Sequence, residues 1–147
     1  MFKHIMIPTD GSELSDKAIV AGVEFAREVK ARVTGFMAVP QYQLPSQAEL
    51  MARHGVSPSQ HEEKVGRLAD EALKKIAERA GAAGVDFDVE FVQSDSPYEA
   101  IIGAAQKHGC DLIFMASHGR SGLSALLHGS QTQQVLAHST IPTLVYR

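Results

Sequence analysis

Short apolar runs alternate with helical patterns along the whole 147-residue chain, and this alternation constrains the fold more than any other feature. Ile5-Met6-Ile7 reads as a strand ending at Pro8. From Ser12 to Lys30 the period is helical, with Ala18, Gly22, Phe25, Ala26 and Val29 on one face. Val33 to Val39 reads as a second strand. Between Glu62 and Ala80, Val65, Leu68, Ala69, Ala72, Leu73, Ile76, Ala77 and Ala80 recur in a 3-1-3-1 rhythm, the mark of an amphipathic helix. On its wet face Asp70 with Lys74, and Glu71 with Lys75, are spaced for i,i+4 ion pairs. Val85 to Phe91 alternates strictly, as a strand with one face in water does. Ser96-Pro97-Tyr98-Glu99 carries an N-cap Ser, a Pro at the first helical position and a Glu at the third. Tyr98, Ile101, Ile102 and Ala105 form the buried stripe of that helix. Asp111 to Ala116 is a strand, Gly129 to His138 a short helix and Ile141 to Tyr146 a last strand. From Gln41 to Gln60, Pro45, Gly55 and Pro58 interrupt any period, so a loop or short irregular helix is expected there.

The order βαβαβαβαβ specifies an α/β fold, an open parallel sheet of five strands with helices on both faces. By length it forms about one domain, spanning residues 1–147. The first and fourth strands are continuously apolar, which suits the middle of such a sheet. The third alternates and the fifth carries Pro142, which suits the edges. The strand order 3-2-1-4-5 satisfies these demands. Its switch point lies between strands one and four, and ligands bind there, beyond the carboxyl ends. The loops leaving that point are Pro8-Thr9-Asp10-Gly11-Ser12 and Ser117-His118-Gly119-Arg120-Ser121-Gly122.

A net charge of -3 argues against a nucleic-acid partner, which needs clustered Lys and Arg. No apolar run approaches the ~20 residues of a membrane span. The single cysteine, Cys110, excludes an intrachain disulfide and fits a reducing compartment. The stretch from Met1 to Ile5 is too short and strand-like for a signal peptide, so cytoplasmic residence is expected. His54 and His61 lie in the irregular insert near Met51 and Glu62, but no Cys/His spacing marks a zinc site and no metal ligand is assigned.

The chemistry-bearing residues gather in the two loops. Gly119 follows the fourth strand by three residues, and Gly129-Ser130 opens the next helix. Glycine permits close backbone approach, and the free N–H groups of a helix start attract anions. Two such turns aimed at one point can hold a chain of phosphates. The same residues also serve as ordinary turns, with Ser130 as a helix cap. No Gly-Lys-[Ser/Thr] follows, so this is not a Walker loop, and the dinucleotide Gly-x-Gly-x-x-Gly is absent. Asp10 precedes Gly11 and reads either as a turn former or as an acceptor for a ribose hydroxyl or base amine, with Pro8 and Thr9 on the same wall. Arg120 can donate to a phosphate or stand in solvent, and His118 flanks the glycine.

The spacing Gly119-x9-Gly129-Ser130, three residues beyond Ala116, resembles the nucleotide loop of the universal stress protein family, read as Gly-x2-Gly-x9-Gly-Ser. Ala116 stands where that pattern has its first glycine. The opening strand with Pro8-Thr9-Asp10-Gly11-Ser12-Glu13 is similar to the family's first strand and loop, and the likeness covers essentially the whole chain. The resemblance implies a Rossmann-like fold of the adenine nucleotide α-hydrolase-like type, usually dimeric. It implies a stress-response regulatory module that binds ATP or AMP, with Mg2+ held through the phosphates. Carried onto this chain, Asp10 and the backbone near Ala38 and Val39 would face the adenosine. Ala116 and Gly119 would line the ribose and first phosphates. Gly129, Ser130 and the N–H of Gln131 would hold the phosphate tail.

Two other functions fit the same fold. One is a dimeric interaction module without a working nucleotide site, for which Ala116 is the argument. The other is a slow ATPase, although only Asp10 and His118 near the loops could serve as a base. As a partner besides the nucleotide and a signalling protein, a second copy is expected, joined through Ile141 to Tyr146, since an exposed apolar edge strand calls for cover. The loop assignment makes a direct prediction. Gly129→Val should abolish adenine-nucleotide binding in calorimetry while the unfolding midpoint holds, because a branched side chain would stand in the phosphate path. Undiminished affinity would overturn the assignment.

Overall fold

The computed structural model describes residues 1–117 and 130–147. Ten elements follow in order: β1 (His4–Pro8), α1 (Glu13–Val29), β2 (Arg32–Val39), α2 (Gln47–Met51), α3 (Pro58–Ala83), β3 (Phe87–Gln93), α4 (Pro97–Lys107), β4 (Leu112–Ala116), α5 (Gln131–His138) and β5 (Thr143–Tyr146). The strands form one parallel sheet in the order β3-β2-β1-β4-β5, as the strand textures require. Ile5, Met6 and Ile7 of the central strand have no exposed surface. Side chains alternate across the sheet. Ile5, Ile7, Val33, Val39, Leu112, Phe114 and Ala116 pack with α1 and α3 on one face. Met6, Phe36, Ile113 and Met115 pack with Ile101 and Ala105 of α4 and Val135 of α5 on the other. Among the described residues no helix is long and apolar enough to cross a membrane.

Several local expectations shift. The segment 41–60 does hold a short helix, one of the two forms expected there: α2, opened by a capping box in which Ser46 and Glu49 bond each other's backbone N–H. The helix expected from Glu62 starts earlier, at Pro58. Ser57 and Gln60 form a second capping box there, and the helix ends where Gly84 takes the left-handed conformation. The Asp70–Lys74 and Glu71–Lys75 pairs give way to others. Lys74 lies 3.6 Å from Glu78, and Lys75 reaches across to Asp16 on α1 at 2.7 Å, because α3 packs beside α1. β3 is displaced two residues toward the C-terminus, since Val85 is spent on closing α3, its N–H donating to the Ala80 carbonyl. β5 begins only after Pro142, which has no N–H for the ladder but whose carbonyl accepts from Ile113 at 2.9 Å. Ser96 occupies the N-cap position of α4 yet makes no side-chain capping bond.

The amino ends of the strands are cross-tied by side chains. Asp111, just before β4, accepts from the backbone N–H groups of Lys3 and His4. The His4 ring Nε2 lies 2.7 Å from the Thr34 hydroxyl, which in turn donates to Asp88 on β3. The hydroxyl has one proton and gives it to Asp88, so the imidazole donates. Burial, then the nearby Arg32 charge, lowers the His4 pKa and favours that neutral ring. Glu90 receives Lys107 at 2.7 Å and His108 at 2.6 Å, and these bonds lower its pKa. Cys110 is buried near Thr34 and Asp88, and burial pushes its thiol up to about 12. The amino end of the sheet is thereby tied together by side chains.

The helix-to-sheet spacing depends on small residues. A Cβ on Gly35 of β2 would stand 2.8 Å from Cδ1 and 2.9 Å from Cγ2 of Ile76, a fully buried side chain of α3. A Cβ on Gly66, inside α3, would meet nothing within 4 Å. Gly35→Ala should therefore lower stability by about 1–3 kcal/mol through overpacking, whereas Gly66→Ala should raise it by about 0.5–1 kcal/mol. Urea unfolding of the two variants checks the opposite signs.

Candidate functional site

Three of the expected contacts lie at the carboxyl end of β1. Thr9 is buried, and its N–H donates to the Phe36 carbonyl of β2 at 2.8 Å. Its hydroxyl accepts from the Gly11 N–H at 3.1 Å, and Gly11 turns the chain with a φ of 77°. Asp10 is anchored in this turn. Its Oδ1 accepts from the Ser12 N–H at 2.9 Å and the Ser15 hydroxyl at 2.8 Å. Ser12 in turn caps α1 by accepting from the Ser15 N–H. The turn-forming role of Asp10 is thus realised through Oδ1, and Ser15 is its buried support. Ser15 escaped the sequence reading because a serine in a helix's first turn carries no signal of its own. Proline ends β1 at Pro8, paired with Phe36.

At the end of β2 the two expected residues part company. Ala38 packs beside the α4-side core and Val39 is fully buried on the α1 and α3 side. Val39 can therefore offer only backbone, and its carbonyl accepts from the Ser94 N–H at 2.8 Å. The next loop closes over this point. The Gln41 N–H donates to Asp95 at 3.1 Å, and His61 Nε2 lies 2.9 Å from the Pro40 carbonyl with its ring edge-on to Tyr42.

Across the switch point stands α5. Ser130 is its N-cap, extended at φ -72° and ψ 149°, and its hydroxyl accepts from the Gln133 N–H at 3.0 Å. The Thr132 hydroxyl, buried, donates to the Ala116 carbonyl at 2.7 Å and pins the start of α5 to the end of β4. Thr132 was not singled out from sequence; its only signal is a position two residues beyond the cap. The backbone N–H groups of Gln131 and Thr132 find no acceptor among the described residues, whereas Gln133 and Gln134 donate to Ser130. Two such donors at a helix start form a natural anion contact. Ala116 lies in β4, paired with Tyr146, and is buried with the α1-side core. Its φ is negative, so no glycine-type backbone is demanded there. His118, Gly119, Arg120 and Gly129 lie outside the described residues. An open groove of about 770 Å³ runs between α1, α5 and β5, lined among the described residues by Leu14, Lys17, Ser130, Thr132, Leu136 and Val145 with others; of the expected contacts that are described, Ser130 lines it.

The burial of the Ala116 methyl makes a prediction. Ala116→Gly should cost about 0.5–1 kcal/mol of stability and change nucleotide affinity by less than about tenfold, upward or not at all. Thermal unfolding and calorimetry on the same preparation check both halves, and a clear loss of affinity would overturn the second.

Known proteins place the chain in context. A universal stress protein of Methanocaldococcus jannaschii is 32% identical over 152 residues, covering all of this chain and 83% of that protein. The universal stress protein YxiE of Bacillus subtilis is 29% identical over 151 residues and the full length of both. Among solved structures, a universal stress protein in complex with cAMP superposes with a TM-score of 0.71 at 21% identity, over 99% of this chain and 97% of that one. The universal stress protein of Archaeoglobus fulgidus in complex with dAMP does so with a TM-score of 0.66 at 13% identity, over 100% and 98% of the two chains. The strand order and helix placement are those of the adenine nucleotide α-hydrolase-like fold that these structures share. The model of the universal stress protein family matches residues 1–147, end to end, and the chain belongs to that family.

Proposed function

We propose that this chain binds an adenine nucleotide, ATP or AMP, at the switch point and works as a cytoplasmic stress-response regulator that passes its ligand state to a signalling partner. The observation that carries this reading is the start of α5. Two backbone donors without acceptors among the described residues stand beside the end of β4, held there by the Thr132–Ala116 bond. Phosphates would sit at Gln131 and Ser130, together with Gly119 and Gly129, and any Mg2+ would be held through them. The nucleoside would lie toward Pro8, Thr9, Asp10, Ala38 and Val39. The proteins crystallised with cAMP and dAMP share the fold and support an adenine ligand here. Regulation is preferred here to slow hydrolysis, the bonds that Asp10 Oδ1 accepts from Ser12 and Ser15 being those of a turn former. Calorimetry of the wild-type protein with ATP, ADP and AMP tests the reading, and heat from none of them would overturn it.

The active form in this proposal is a homodimer joined along β5. The Pro142 and Tyr146 carbonyls accept from Ile113 of β4 and from Ser117 just beyond it, so the backbone groups of residues 142, 144 and 146 face inward. The backbone groups of Thr143 and Val145 then point to the open edge, where the same strand of a second copy can pair about a two-fold axis. Val145→Pro removes an outward donor without touching the β4 ladder. Light scattering should give twice the monomer mass for the wild type and a monomer for the variant; a dimer indifferent to the change would exclude this seam.

A further inference from the structure

Gln131 sits at the first position of α5, and its side chain reaches a different helix. Its Oε1 accepts from the backbone N–H of Tyr98, in the first turn of α4, at 2.8 Å. That bond replaces the cap which Ser96 fails to provide. The Tyr98 ring also lies against His138 at the far end of α5, with ring centroids 5.1 Å apart. Between these two contacts Val135 packs into the core with Ile101 and Ala105. The first turn of α4 is thus fastened to both ends of α5. The loop that feeds α4 is fastened to β2, through Ser94 N–H to the Val39 carbonyl at 2.8 Å and Gln41 N–H to Asp95 at 3.1 Å. Hydrogen bonds joined by the short stretch of backbone 94–98 therefore link the start of α5 and the first turn of α4 to the end of β2.

We propose that the Gln131 side chain is a positioning residue, a latch that holds the α4 start and the α5 start in one arrangement and links the phosphate end of the cleft to its nucleoside end. For the ligand it rests on the nucleotide reading above; the latch itself does not. The backbone N–H and the side chain of Gln131 share one Cα, so a phosphate that draws the N–H also moves the root of the latch. The residue type fits both tasks. A neutral amide caps α4 through its oxygen and tolerates an anion beside it. A carboxylate would cap α4 equally well, being favoured at a helix start, but would repel a phosphate.

Amide hydrogen exchange by NMR on the full chain tests this, with Gln131→Leu and Gln131→Glu beside the wild type. Without ligand, the Tyr98 amide should exchange roughly five- to tenfold faster in the Leu variant, the effect of a lost helix cap. The Gln41 amide should loosen with it, and Glu should restore both. A local cap with no wider role would leave Gln41 unmoved, so unchanged exchange at Tyr98 or at Gln41 overturns the latch. With ligand, Gln131→Glu should weaken ATP about tenfold more than adenosine, which lacks phosphates; equal weakening would overturn the placement of the latch beside the phosphates. If ATP binds to none of the three proteins while the exchange pattern holds, the nucleotide reading falls and the latch stands.

Discussion

Everything in this molecule hangs on the pairing of β1 with β2 on one side and β4 on the other. β1 is five residues long and has no partner choice once its side chains are buried on both faces. Because the chain leaves β1 toward β2 and later returns to β4 on the other flank, the connections diverge at that point. The divergence opens a crevice at the carboxyl ends, where backbone groups are not consumed by the sheet. The turn at Asp10 and the start of α5 face each other across it by topology, not by local preference.

The two ends of the sheet have divided the work. At the amino ends, Asp111 bonds the start of β1, and His4, Thr34 and Asp88 join three strands in a row. Glu90, Lys107 and His108 add the end of α4 to that row. Paired polar groups of this kind hold the register of the strands. At the carboxyl ends many of the bonds among the described residues run between side chain and backbone: Thr132 to Ala116, Gln131 to Tyr98, Asp95 to Gln41. These position the chain where it leaves the sheet. α4 connects the two ends, with its last turn in the locked network and its first turn at the crevice.

The substitution at Ala116 illustrates how context sets the meaning of a residue. Against the family pattern a methyl replaces hydrogen in the nucleotide loop. In the fold that methyl is part of the core beneath α1, in a strand with ordinary backbone, and its carbonyl does the positioning through Thr132. A change that looks like interference with a ligand is, in its contacts, a packing residue.

By itself the sequence determined the class of fold and the strand order. These follow from periodicity and apolar content, which act over a few residues and survive any tertiary arrangement. A helix cap was legible where side chain and backbone are neighbours, as at Ser130; the cap at Ser12 and the boxes at Ser46 and Ser57 carry the same kind of signal but were not singled out, the last two lying in or beside a segment whose prolines and glycine interrupt any period. Tertiary structure alone decided the long-range partners. Lys75 chose Asp16 over Glu71, Gln131 rather than Ser96 capped α4, and Thr132 and Ser15 became supports of the site. A side-chain hydrogen bond depends on which surfaces meet and at what distance, and one-dimensional spacing holds no record of that until the sheet has brought residues 33 or 59 positions apart within 3 Å of each other.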